Sequence, residues 1–268
     1  MASKTIMAHI TGEQHLDGLL DVLSVLAARL KAHVVGVVHL TDQTLGAITN
    51  QDRATLAERE ALLRGRFEGS ARECGYSTEW RRVENRATLA ALAQAHAADL
   101  VVAGQFNTEP QNQETTSTLE LFLIGAGRPV LLTPMRLKSN FQCERILIGW
   151  NGSQACTRAV ADALPILKTA RHLKILHLKK SGEHRHSQLI SGRRLAASLA
   201  RHAIQADAEE IELPISDPGA AILSAVKAEN ADLLVMGCDG YLRLQEFVPG
   251  SATRHVLKRM TVPVLMSH

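Results

Sequence analysis

Two kinds of apolar run alternate along the chain. Short ones, such as Val34–Leu40 and Leu233–Gly237, are apolar at nearly every position and lack the two-residue alternation of a half-wet strand. They predict strands buried on both faces. The longer ones are amphipathic. Leu16, Leu19, Leu20, Leu23 and Leu26 recur at helical spacing, and so do Val160, Leu164 and Leu167, with Pro165 expected to kink the second of these helices. Asp217-Pro218 predicts a helix start, an N-cap followed by proline at the first helical position. The resulting order, β-α-β-α-β-α-β-α-β, occurs twice. It implies right-handed crossovers and parallel sheets with helices on both faces.

The chain is written twice in its residues as well. "ADLVVAG" (98–104) returns as "ADLLVMG" (231–237), and "RPVLLTP" (128–134) as "VPVLMSH" (262–268). "VVHL" (37–40) returns as "ILHL" (175–178), and "TIMAHITG" (5–12) as "RILIGWNG" (145–152). The anchors keep their order at offsets of roughly 133 to 140 residues, as a duplication does. Two domains, 1–135 and 144–268, follow, joined through the polar stretch "MRLKSNFQCE". The fold class expected is α/β: two tandem, open-twisted, parallel five-stranded sheets with helices on both faces.

Composition narrows the possible functions. Aromatics make up 3% of the 268 residues, too few for the stacking platforms of a single-strand nucleic-acid binder. A net charge of +3 with interspersed signs does not describe a DNA or membrane surface. The densest basic run, Arg193-Arg194 to Arg201, reads as the wet face of a helix. No segment is apolar for the length of a membrane span, and Met1-Ala-Ser-Lys-Thr leads into a strand without a signal-peptide pattern, so the expectation is a cytoplasmic protein. Cys74, Cys143, Cys156 and Cys238 form no CxxC and predict no structural disulfide.

The chemistry concentrates in "GCDGYLRLQEFVPGSATRHVL" (237–257). Gly237 ends a buried strand, Gly240 follows in the loop, and Gly250-Ser251 opens a helix. The first N–H groups of that helix lack intrahelical partners, and with the helix dipole and the Ser251 hydroxyl they suit a phosphate. The bland alternative makes Gly250 a loop end and Ser251 an ordinary N-cap. Neither GxxxxGK[ST] nor GxGxxG is present.

The pattern G-x2-G-x9-G-S, followed by a short helix and the terminal "VPVLM" strand, resembles the nucleotide signature of the universal stress protein family. "ILIGWNGS" (146–153) is similar to that family's first strand and its Asp-Gly-Ser turn. The resemblance covers both halves, as in a tandem member. It implies an ATP-binding α/β sandwich, with ATP accompanied by Mg²⁺, whose domains pair through their last strands. Here the halves would pair with each other, and two chains would form a homodimer. By the same resemblance Gly237, Gly240, Gly250, Ser251 and the Ala252 N–H would hold phosphates and ribose. Leu178 would read adenine through its backbone, and Asn151 stands where the family has an aspartate at the nucleoside end. The implied role is a stress-response switch or module for a protein partner, with at most slow ATPase activity or autophosphorylation. The rival is a scaffold that binds no nucleotide.

In the first half the equivalent loop begins Gly104-Gln105-Phe106-Asn107, without the second glycine or a Gly-Ser pair. Glu109, Glu114 and Glu120 bring negative charge, and Gly125 and Gly127 come too late. The first turn there is Thr11-Gly12. This half is expected to be a degenerate copy without a nucleotide site. His184 and His186 read as a solvated loop rather than a metal site, and His39 and His177 as recurrent core histidines. Asp239, Arg243 and Cys238 carry no assigned role. The sequence presents no set of nucleophile, base and orienter.

Overall fold

A computed structural model describes residues 4–38, 50–83, 87–105, 122–137, 141–180, 191–213, 217–238, 240–243 and 246–268. The first half runs β1 (Thr5–Ile10), a 3-10 turn (Glu13–His15), α1 (Leu16–Leu30), β2 (His33–Val38), α2 (Asn50–Cys74), β3 (Thr78–Arg82), α3 (Ala87–Ala95), β4 (Leu100–Gly104) and β5 (Val130–Thr133). The second runs β6 (Arg145–Trp150), α4 (Gln154–Leu167), β7 (His172–Lys180), α5 (Gly192–Ala200), β8 (Asp207–Leu213), α6 (Pro218–Ala228) and β9 (Leu233–Gly237). It closes with β10 (Gly240–Arg243), β11 (Glu246–Pro249), α7 (Ser251–Arg259) and β12 (Val264–Ser267).

The α/β class and the parallel strands are as the apolar pattern predicted. The two five-stranded sets form halves of a single ten-stranded sheet, in the order β3-β2-β1-β4-β5-β12-β9-β6-β7-β8. Every neighbouring pair is parallel except β5 and β12, which run antiparallel with Val130 opposite Met266 and Leu132 opposite Val264. The last strand of each half thus meets the last strand of the other. β4, β5, β9 and β12 are buried at every position, which explains their unbroken apolar runs.

Each sheet face carries a core that crosses the boundary between halves. On one face Leu16, Leu19, Leu23 and Leu26 of α1 join Leu63 and Phe67 of α2, Ala159 and Ile166 of α4 and Leu199 of α5. On the other, Ala91 and Ala95 of α3 join Phe122, Ile222 and Val226 of α6 and Val256 of α7. Gly36 in β2 makes room for the first of these layers, since a Cβ there would lie 2.9 Å from the Phe67 ring. Pro165 sits in the last turn of α4, and Arg193, Arg194 and Arg201 are exposed as expected.

The repeated "ADL" has a structural cause. Asp99 accepts from the N–H groups of Lys4 (2.8 Å) and Thr5 (3.0 Å), stapling the start of β1 to β4. Asp232 does the same for β6 and β9, accepting from Glu144 N–H (2.9 Å) and Arg145 N–H (3.0 Å). The stretch read as a polar linker is partly core: Phe141 and Cys143 are buried. Burial, with Asp232 nearby, pushes the Cys143 thiol up to about 12, so it stays protonated. Arg29 of α1 binds the halves together by donating to the Thr169 carbonyl (3.0 Å) and to Glu144 (3.2 Å).

Candidate functional site

A doubly wound sheet offers its ligand crevice at the carboxyl ends of the strands where the order reverses. In the second half that place lies between β6 and β9, because the chain leaves β6 toward β7 on one side while β9 pairs on the other. The parallel register carries Asn151, Leu178 and the Gly237-Cys238 step to this rim. Trp150 pairs with His177, so Asn151 and Leu178 come one position later on neighbouring strands. Gly149 pairs with Met236, so Asn151 is level with Cys238.

The turn after β6 is built by side chains. Asn151 Oδ1 accepts from Ser153 N–H (3.0 Å), Gly152 takes the left-handed φ of 71°, and Ser153 Oγ caps α4 by accepting from Cys156 N–H (3.2 Å). Asn151 is exposed and Leu178 half-buried. The amide oxygen therefore closes the turn much as a carboxylate would.

Gly237 is needed for a reason that the sequence did not reveal. A Cβ there would lie 2.4 Å from Cys156 N and 2.7 Å from the Ala155 carbonyl carbon. The first turn of α4 occupies that space, so the glycine serves helix–strand packing. Beyond Cys238 the glycine loop carries an antiparallel hairpin, β10 with β11, in which Gly240 pairs with Pro249. The hairpin returns the chain beside Gly240 just before Gly250, which brings two distant glycines of the motif together.

Gly250 is the N-cap of α7 (φ −56°, ψ 159°) and Ser251 its first helical residue. The alternative with Ser251 as the N-cap is thereby corrected. A glycine cap has no side-chain oxygen for the N–H groups of Ala252 and Thr253. The other three labelled helices of this half are capped by Ser153, Ser191 and Asp217, each accepting a first-turn N–H.

Two more groups stand near this rim. His177 is buried, and burial lowers its pKa below the usual imidazole value although Glu210 lies 3.6 Å from Nδ1. Glu210 is held low chiefly by its bond to Lys179. His177 is thus a neutral core histidine. Cys238 is buried and forms no disulfide. His39, His184, His186 and Asp239 lie outside the described residues.

The first-half crevice, between β1 and β4, is assembled differently. Gly12 has an extended φ of 164°, and α1 starts after the 3-10 turn at His15 without a side-chain cap. His15 lies over Gly104, where a Cβ would be 2.8 Å from His15 Cβ. Burial lowers the His15 pKa. The Gln105 side chain is engaged within the fold: its Nε2 donates to the Leu257 carbonyl of α7 (2.5 Å) and its Oε1 accepts from Met135 N–H (3.1 Å). Glu109, Glu114 and Glu120 fall outside the described residues. Sequence reasoning passed over one pair in the second half. His255 of α7 meets Asp217, the N-cap of α6; the only sequence signal was the spacing of four from Ser251.

Fold and rim together define a doubly wound α/β protein with a glycine loop opening onto a helix N-terminus. Comparison with known proteins then places the second half: residues 143–268 match the family model described as Universal stress protein family and carry a domain of that family. Universal stress protein Slr1230 of Synechocystis is 26% identical over 150 residues, covering 56% of this chain and 50% of the relative. The chain thus spans about half the length of that curated relative. A universal stress protein from Archaeoglobus fulgidus has the same fold along the whole chain, with a TM-score of 0.74 at 16% identity, covering 99% of this chain and 98% of that one. The cytoplasmic domain of a prokaryotic cation chloride cotransporter also shares it, with a TM-score of 0.59 at 13% identity and coverage of 98% and 94%. The architecture therefore serves proteins with different duties. Among the described residues no helix is long and apolar enough to cross a membrane.

Proposed function

We propose that the chain is a tandem universal stress protein whose second half binds ATP with Mg²⁺ and whose first half does not. It acts as a nucleotide-dependent stress-response switch or partner-binding module in the cytoplasm, as a homodimer. The observation that carries this reading is the glycine cap of α7. Three helices of the second half spend a Ser or Asp on their first turns, whereas the helix ending the glycine motif has no side-chain cap among the described residues, which suits its N–H groups to an outside acceptor. Those donors are chemically suited to phosphate oxygens, with Ser251 and the Ala252 N–H at the mouth and Gly240 and Gly250 giving the backbone access. Asn151 and Leu178, level on adjacent strands, would take the nucleoside end. Among the described residues no three His, Cys, Asp or Glu side chains converge on a metal position, so Mg²⁺ would arrive on the phosphates.

One observation favours the scaffold as a second reading. Gly237 has its packing reason in α4 and needs no ligand to explain it. Heat release of nucleotide from freshly purified protein, beside Gly250→Glu prepared identically, separates the two. The proposal expects adenine nucleotide with the wild type and none with the variant. No nucleotide on either, and no binding at millimolar ATP, would leave the scaffold.

A further inference from the structure

The pair that the sequence concealed has the geometry of a base and its orienter. His255 Nδ1 lies 2.8 Å from Asp217 Oδ2, with the His255 side chain 17% exposed and that of Asp217 41%. The carboxylate is itself fixed, because Oδ1 accepts from Ala220 N–H at 3.1 Å as the N-cap of α6. Gly219 allows the approach. A Cβ there would lie 2.5 Å from His255 Cβ and 3.0 Å from the Ala252 carbonyl oxygen. The first turn of α6 therefore touches α7 along the turn that joins the glycine loop to the histidine.

The orientation selects a tautomer. With Nδ1–H donated to Asp217, Nε2 keeps its lone pair. Arg259 Nη1 lies 3.2 Å from Nδ1 and 3.3 Å from Nε2. A group equidistant from both nitrogens sits over the ring or before Cε1, off the line of the Nε2 lone pair. His255 follows Ser251 by one helical turn, about 6 Å along the axis. Its ring reaches Asp217, the residue that caps the N-terminal end of α6.

We propose that His255 is the general base and Asp217 its positioning residue for hydrolysis of the nucleoside triphosphate held by the glycine loop, an inference that rests on the proposed nucleotide site. A water oxygen attacks the γ-phosphorus while the bond from that phosphorus to the β–γ bridging oxygen breaks. The proton of the water passes to His255 Nε2, and ADP and orthophosphate leave. The arrangement turns a binding module into a slow timer that resets itself.

The test begins without ligand. A long-range ¹⁵N–¹H spectrum should show His255 as the neutral tautomer protonated at Nδ1 in the wild type and not in Asp217→Ser, where serine keeps the N-cap but cannot reach the ring. Single-turnover hydrolysis of Mg·ATP is then compared with the Gly250→Glu baseline, with ATP affinity measured by calorimetry for each protein. The expected result is turnover above that baseline, lost at least about 100-fold in His255→Gln and about 10-fold in Asp217→Ser, with affinity within about threefold of wild type. Unchanged turnover in His255→Gln, baseline turnover in a wild type that binds ATP, or protonation at Nε2 would overturn the proposal. A wild type that does not bind ATP overturns the nucleotide site itself, and the dyad's role with it.

Discussion

The two crevices of this sheet are built on the same strands and finished with different residues. Both halves staple their first strand with an aspartate, Asp99 or Asp232, and both end the fourth strand in a glycine under the start of a helix. Above that glycine the second half lays the backbone of α4, capped by Ser153 and preceded by the Asn151 turn. The first half lays the His15 side chain there instead and turns Gln105 toward α7. What the sheet needs is the same in both halves, and the rims differ. The repeated residues hold the sheet together, and the unrepeated ones shape the two rims differently.

The comparison breaks most visibly at the matched glycines. Gly237→Ala puts a Cβ into main-chain atoms of α4 and should cost about 3 kcal/mol or more, read as a lower midpoint in urea. Gly104→Ala meets a side-chain atom and should cost about 1–3 kcal/mol. Equal losses would show that the α4 approach is not the tighter one.

The staples come next. Asp232→Ala strands two N–H groups in a half-buried place and should cost about 2–3 kcal/mol. Asp99→Ala should cost less by about 1 kcal/mol, since Lys4 is exposed and water can replace the carboxylate. At the rim, Asn151→Asp introduces a carboxylate while keeping the acceptor for Ser153 N–H. Charge-assisted bonds to a nucleoside should then tighten ATP by about 1 kcal/mol in calorimetry. An unchanged affinity would remove Asn151 from the site.

The smallest expected effect is a pH dependence. His15 and His177 are both held below the ordinary value of 6.5 by burial, so in the fold they resist protonation. Below about pH 6.5 the unfolded chain binds more protons than the folded one, and stability falls as pH drops through that window toward the folded values. His177→Gln should flatten the dependence of the urea midpoint between pH 6.5 and 5. A midpoint that rises on acidification would contradict the buried neutral histidine.

The apolar runs predicted buried strands such as β2 and β9, the Leu16–Leu26 stripe predicted α1, and Asp217-Pro218 predicted the start of α6, because burial and capping leave periodic or local signatures. The polar strands β3 and β8 carry no such run. Three features were not legible. The β10–β11 hairpin has no apolar alternation strong enough to stand out in a glycine loop. The packing role of Gly237 depends on α4, some eighty residues earlier in the chain. The Asp217–His255 contact joins residues whose local roles, N-cap and helix surface, were each sufficient explanations alone. Long-range approach of backbones is what the linear pattern cannot express.

The central claim is that one rim of two is a nucleotide site. Calorimetric titration of Mg·ATP into the wild-type chain tests it most directly. One site per chain, abolished in Gly250→Glu and unaffected by Gln105→Ala, is the predicted result. Two sites per chain, or a single site that survives Gly250→Glu, would contradict the account.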